Sequence, residues 1–321
     1  MASKQILRIG SRGSKLAVTQ AEWLGGELKK KHPSLEIVYS RITTTGDKNL
    51  GTPLQALGGK GVFVKEIEEA LLSKEIDLAV HSLKDVPQTL PYGLCLGPYP
   101  KREDPRDVVI SRFGEQLQEL PRGSIIGTSS PRRVAQIKRN HKKRQYHLEP
   151  LRGNVETRLN KVHDGQVDAA VMALAGLKRL GLEKEVTQIL ELDQMMPAPG
   201  QGCLALELRQ EDKWILELLE TIKDISSDQT ARAERAFLQG VGGNCLAPLA
   251  SVTKMSQDEI QMMALLLHTS GDPVVHVQES GPLDQVELVG AKLAGRLLYE
   301  GGADLLARLD QEASHESQTT R

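Results

Sequence analysis

The chain has 321 residues, 39% hydrophobic and 26% charged, a balance that excludes a disordered chain and points to a soluble globular protein of two or three domains. Its 41 basic and 42 acidic residues leave a net charge of −1, which calls for no nucleic acid, and no apolar run approaches the ~18 residues of a membrane span. Cys95, Cys203 and Cys245 are widely spaced and form no CxxC pair, so a disulfide framework or a zinc site is not expected; with no secretory signal visible, reduced thiols in the cytoplasm are.

The first half alternates strand and helix signals. Ile6 to Ile9 reads as a strand, and Ser14 caps a helix with Leu16, Ala17, Ala21, Leu24 and Leu28 on one face. Leu35 to Ile42 is the next strand and Val62 to Leu72 the next helix; Asp77 to Val80 is a short apolar strand running into His81–Ser82–Leu83–Lys84–Asp85. This rhythm argues for an α/β fold with mostly parallel sheets. It breaks at Pro98 to Pro105, a linker, and restarts with a strand from Ser124 to Gly127. Ser130 as N-cap and Pro131 as first helical residue open a helix to about Arg139. Tyr146 to Leu151 is strand-like, Asn154 to Val162 helical and Asp168 to Leu174 an apolar strand. After a second break at Met195 to Gly202, the strand Cys203 to Leu208 is expected to cross back to the first lobe. A helix from Asp228 to Gln239, strands at Ile260 to His268 and Pro273 to Val277, and a helix from Asp284 to Tyr299 make a smaller α+β C-terminal domain, and the last ten residues read as frayed. The expected domains are 1–101 plus 203–221, then 106–198, then 225–321.

Arginines recur where the predicted strands end and helices begin: Arg12, Arg132, Arg133, Arg152 and Arg158, with Arg179 further on. Ligands of open α/β sheets bind at that edge, helix N-termini there favour anions, and guanidinium grips carboxylate with a two-pronged fork. Thr128–Ser129–Ser130–Pro131–Arg132–Arg133 joins hydroxyls, a helix start and two guanidiniums. A cleft for a ligand with several carboxylates or phosphates is one reading; pairing with Asp and Glu is the other. Asp85 stands just past a strand, where an acid can stabilise a cation, shuttle a proton or simply close a turn. Cys245 lies in Gly242–Gly243–Asn244–Cys245, a loop that can leave a thiol accessible, whereas Cys203 and Cys95 read as small buried hydrophobes. Gly58–Gly59–Lys60–Gly61 lacks the spacing of a phosphate loop. The basic run Lys138 to Arg144 has no interleaved aromatic and reads as a solvated helix end.

Taken together, the segments resemble the porphobilinogen deaminases. The stretches that carry the resemblance are Arg12–Gly13–Ser14, Thr45–Gly46–Asp47, Gly58 to Gly61 with Phe63 and Lys65, His81 to Pro87, Lys101 to Asp107, Gly127 to Ser130 with Arg132–Arg133, Leu151 to Asn154 with Thr157–Arg158–Leu159, Ala175 to Gly181, Pro199 to Gly202, and Ala233 to Ala236. The resemblance implies two similar lobes like those of periplasmic binding proteins, with mixed, mostly parallel sheets, plus a small α+β domain. It implies a transferase of porphyrin (haem) biosynthesis, a cytoplasmic monomer that condenses four porphobilinogen molecules into hydroxymethylbilane. The implied cofactor is a dipyrromethane bound through a thioether to Cys245; no nucleic acid, membrane or metal is implied. By the same match Asp85 is catalytic. Arg12, Ser14, Lys84, Ser129, Arg132, Arg133, Arg152, Arg158, Thr128 and Asp47 hold the cofactor, and Arg12, Phe63, Arg152, Arg158, Arg179 and Gln201 hold the substrate.

Three positions depart from the family pattern. Asn244 intervenes between the glycine pair and Cys245, Ala56 stands where a lysine is usual, and Cys203 where a small residue is usual. Two rival readings are a solute receptor that binds anions without chemistry and a homologue that folds without turning over.

Overall fold

The computed structural model describes residues 5–48, 64–242 and 247–319. They fall into two compact units: Met1–Pro105 with Ala175–Leu182 and Gly200–Asp228, and Arg106–Leu174 with Glu183–Pro199 and Gln229–Arg321.

In the first unit, β1 (Ile6–Arg12) leads into α1 (Lys15–Lys31), then β2 (Glu36–Ile42), the short α2 (Thr45–Lys48), α3 (Lys65–Leu72), β3 (Leu78–Ser82) and β4 (Leu94–Leu96). Ser14 caps α1 as expected, its hydroxyl accepting from the Ala17 N–H at 3.3 Å. β1 pairs in parallel with β2 and β3. One face of this sheet packs Leu7, Ile9, Leu78 and Val80 against Leu24 and Leu28 of α1. On the other, Ile67, Ala70 and Leu71 of α3 close over Ile76, Ala79 and Leu94.

The second unit repeats the pattern with β5 (Asp107–Ser111), β6 (Ile125–Gly127), α4 (Pro131–Asn140), β7 (His147–Glu149), α5 (Val155–His163), β8 (Ala169–Ala173) and β9 (Gln188–Ile189). α6 (Leu174–Arg179) follows β8 directly. Ser130 caps α4 with Pro131 in its first turn, and the Asn154 side chain caps α5 by accepting from the Thr157 N–H at 2.8 Å. β6 pairs in parallel with β7 and β8.

The chain then returns to the first sheet with β10 (Leu204–Arg209), followed by α7 (Lys213–Glu220) and α8 (Ile225–Val241). β10 inserts antiparallel between β3 and β4, giving the order β2-β1-β3-β10-β4; the second sheet has the order β7-β6-β8-β5-β9, with β5 antiparallel to both neighbours. Each sheet is thus a parallel triplet extended by two antiparallel pairings. The βαβ rhythm shows only the triplet, because β10 and β5 lie outside the stretches that carry it. β11 (Leu249–Met255), β12 (Glu259–Leu267) and β13 (Val274–Pro282) form an antiparallel sheet. α9 (Val286–Leu297), Phe237 of α8 and Leu305 and Leu309 of α10 (Ala303–Thr319) cover it. α10 continues to Thr319 where the sequence reads as frayed; Glu312 and Ala313 are good helix formers. β4, β5, β9, β11, α2, α6, α7 and α10 are additions to the sequence reading. None of the helices among the described residues is long and apolar enough to cross a membrane.

Candidate functional site

The C-terminal edge of the β1–β3 pair carries the densest set of expected residues. β3 is buried until Ser82, and a single 3-10 turn, Leu83–Asp85, then drives Leu83 inward and leaves Lys84 and Asp85 exposed. One strand over, β1 ends at Arg12, half-buried, and Ser14 opens α1. Parallel pairing of β1 with β3 brings these ends to one edge, where a doubly wound sheet places its ligands. A cavity of about 90 Å³ lies there, lined by Arg12, Ser14, Leu16, Ala17, Gln20, Val64, Val80, His81, Ser82 and Asp85. Gln20 was not picked out from the sequence; its amide donates to the Ser82 hydroxyl at 3.3 Å.

Behind Lys84 stands the loop Pro199 to Gly202. Lys84 Nζ donates to Gln201 Oε1 at 3.4 Å, and Gln201 Nε2 donates to the Pro105 carbonyl at 2.6 Å. Gln201, expected at the substrate, is 1% exposed, with its amide spanning these partners. Arg179, also expected at the substrate, donates to the Gly202 carbonyl at 2.7 Å, and burial lowers its guanidinium below the ordinary value. Gly202 has φ +89°, and a Cβ there would sit 2.3 Å from the Glu103 carbonyl, so this approach demands glycine.

In the second unit the equivalent edge gathers Thr128, Ser129, Arg152 and Arg158. Ser129 is exposed and its hydroxyl donates to the Leu151 carbonyl at 3.0 Å; Thr128 is buried. Arg152 and Arg158 are half-buried, and Arg158 Nε donates to the Gly153 carbonyl at 2.9 Å.

Arg132 and Arg133 turn inward. Both guanidiniums meet the carboxylate of Asp107, each at 2.7 Å, and they donate as well to the carbonyls of Met196 (2.7 Å, from Arg132) and Val171 (2.9 Å, from Arg133). Burial alone would raise the Asp107 carboxyl, but the two guanidiniums outweigh it and hold the group well below the usual carboxylate range. Arg132 is itself lowered, by burial first and despite the Asp107 charge.

Cys203 is buried, as expected of a small hydrophobe. Cys95 is half-buried, and burial, then the charges of Glu207 and Asp212, push its thiol up. Phe63, Ala56, Gly58 to Gly61, Asn244 and Cys245 lie outside the described residues, as does the side chain of Asp47.

Comparison with known proteins gives one family. The family model described as porphobilinogen deaminase, dipyromethane cofactor binding domain, matches residues 7–217, and the model described as porphobilinogen deaminase, C-terminal domain, matches residues 229–299. A curated porphobilinogen deaminase from Syntrophotalea carbinolica is 46% identical over 96% of this chain and 97% of that protein. One from Desulforudis audaxviator is 45% identical over 94% and 97%. Among solved structures, the probable amino-acid ABC transporter extracellular-binding protein ytmK from Bacillus subtilis is similar at TM-score 0.42 and 10% identity, covering 74% of this chain and 97% of that one. The periplasmic aliphatic sulphonate binding protein SsuA from Escherichia coli gives TM-score 0.38 and 14% identity, over 76% and 77%. Matched across nearly its whole length by both family models and by these relatives, the chain belongs to the porphobilinogen deaminase family.

Proposed function

We propose that this chain is a hydroxymethylbilane synthase: it condenses four porphobilinogen molecules head to tail, with loss of ammonia, into hydroxymethylbilane. The observation that carries the reading is the shared cavity of Asp85, Arg12 and Ser14 at the end of β1 and β3. Each porphobilinogen brings an acetate, a propionate and a pyrrole N–H. A guanidinium and a hydroxyl suit the carboxylates, and an exposed carboxylate suits the N–H and the cation that forms as ammonia leaves.

The same donor set fits a dipyrromethane, which has the same side chains; bound, that cofactor supplies the pyrrole carbon to which substrate is joined. We assign its attachment to Cys245. By the family match, Arg12, Ser14, Lys84, Asp47, Ser129, Thr128, Arg152 and Arg158 are the residues assigned to it. Arg132 and Arg133, expected there too, would act on it through the loop and helix that their Asp107 pairing fixes. Phe63, Arg179 and Gln201 complete the assigned substrate set, the last two by holding the loop behind Lys84. Asp85 orients the ring through its N–H and stabilises the methylene-pyrrolenine cation formed from porphobilinogen. We read the protein as a cytoplasmic monomer in three domains, 1–101 plus 203–221, 106–198 and 225–321. A receptor that only bound anions would gain nothing from a carboxylate in the lining of that cavity.

Asp85→Ala tests the assignment. Asp85 is exposed, so the fold is expected to persist by circular dichroism. Porphobilinogen consumption should fall by about 10²-fold or more, the scale of a lost electrostatic contact to a developing charge. Unchanged consumption would contradict the role.

A further inference from the structure

One wall of the cavity has a buried ionisable pair behind it. His81 on β3 pairs across the sheet with Ala205, so Glu207, two residues along β10, projects from the same face. His81 Nε2 lies 3.1 Å from Glu207 Oε2, and the two side chains are 4% and 0% exposed. The approach lacks hydrogen-bond alignment, and neither His81 Nε2 nor either Glu207 oxygen has a hydrogen-bond partner, so the contact is one of charge. A carboxylate buried in this way is costly unless a proton or a cation accompanies it. The groups around the pair are mostly acidic: Glu68 from α3 and Cys95 from β4 feel the Glu207 charge, and Asp85 closes the turn that follows β3. Arg209 of β10 is bound to Asp77 and Asp212, and Arg12 lines the cavity from β1. The Glu68 carboxyl is pushed up to about 7, by burial first and then by Glu207. His81 belongs both to the pair and to the wall of the Asp85 cavity.

We propose that His81 is a second proton-handling group of this site, with Glu207 as its positioning residue: the Glu207 charge 3.1 Å from Nε2 favours the tautomer with the ring proton on that nitrogen, and Nδ1 accepts the proton that a pyrrole α-carbon loses on forming its new carbon–carbon bond. The C–H electron pair returns to the pyrrole ring and restores its aromaticity. The proton passes from Nδ1 to the ammonia shed by porphobilinogen and leaves as ammonium. The inference rests on the reaction proposed above, and it divides the work: Asp85 stabilises the cation, and His81 removes the proton.

The test uses the full-length holoenzyme and its His81→Gln and Glu207→Gln variants. Two readouts are the pH profile of kcat and KM for porphobilinogen, and nitrogen NMR of chain labelled in its histidine rings, the His81 signals being assigned by their loss in His81→Gln. The expected result is a fall in kcat of about 10²-fold or more in His81→Gln, with KM little changed and the acid limb of the profile lost. Wild-type His81 should show the Nε2–H tautomer, and Glu207→Gln should mix the two tautomers and lower kcat without abolishing it. An Nδ1–H tautomer in the wild type would overturn the proposal. So would variants that melt earlier yet keep the wild-type kcat and pH profile, because the pair would then be structural. A wild-type chain that consumes no porphobilinogen would instead sink the reaction itself, while the ring signals, which need no turnover, would still report the Glu207 contact.

Discussion

Asp107 has its carboxylate fully enclosed, between Arg132 and Arg133. The amide of Asp107→Asn would leave two buried guanidiniums without a counter-charge. That is the costly way to break a buried pair, at ~3–5 kcal/mol. Urea unfolding measures it; a loss under ~1 kcal/mol would contradict the contribution assigned to this cluster. The arginines also mark how far a single residue can be read. An arginine at a helix start looks the same in sequence whether it meets a ligand or a counter-ion, and here the deciding partner is 25 positions from Arg132 and 26 from Arg133. Asp85, Arg12 and Ser14 were more legible, because a strand end and a helix cap define where their side chains must be. The His81–Glu207 pair was not: it depends on how β10 registers against β3, and its only trace was one charge inside an apolar strand.

Among the elements, α3 shows how packing changes chemistry. Its apolar residues close over the sheet, and that closure half-buries Glu68 beside Glu207. The Glu68 carboxyl rises from its ordinary 4.5 to about 7, by burial and then by the neighbouring carboxylate. The folded state therefore favours the protonated form. The stability this gives is fully present below pH 4.5 and is lost as pH rises through about 7. Glu68→Gln, which mimics the protonated group, should melt above the wild type on the alkaline side of that range and with it at acid pH. A Tm difference that did not change with pH would contradict this. Long periodic elements such as α1 and α4 were legible from the apolar spacing and their serine caps. Three-residue β4 and two-residue β9 are too short to show a period, and β5 follows the proline-rich break directly.

At the scale of the molecule, two sheets, each a parallel triplet extended by two antiparallel pairings, each present a strand-end edge with arginine and hydroxyl side chains. β10 follows the whole second α/β stretch, and β5 precedes its own parallel triplet, so in each sheet one inner strand comes from beyond the local βαβ run. The alternating fold class was visible in the sequence, and so was the return of β10 to the first lobe after the second Pro/Gly break; its place between β3 and β4, and the whole of β5, were not, since strand neighbours are long-range pairings that local pattern does not encode. The reading of the whole turns on whether Cys245 carries a dipyrromethane that grows when porphobilinogen is supplied. The most direct measurement is the intact mass of the purified chain and of Cys245→Ser, before and after adding porphobilinogen. The account predicts a wild-type excess of one dipyrromethane that increases in single-pyrrole steps, with neither the excess nor the steps in Cys245→Ser. A wild-type mass equal to the bare chain in both conditions, or an excess that survives Cys245→Ser, would contradict it.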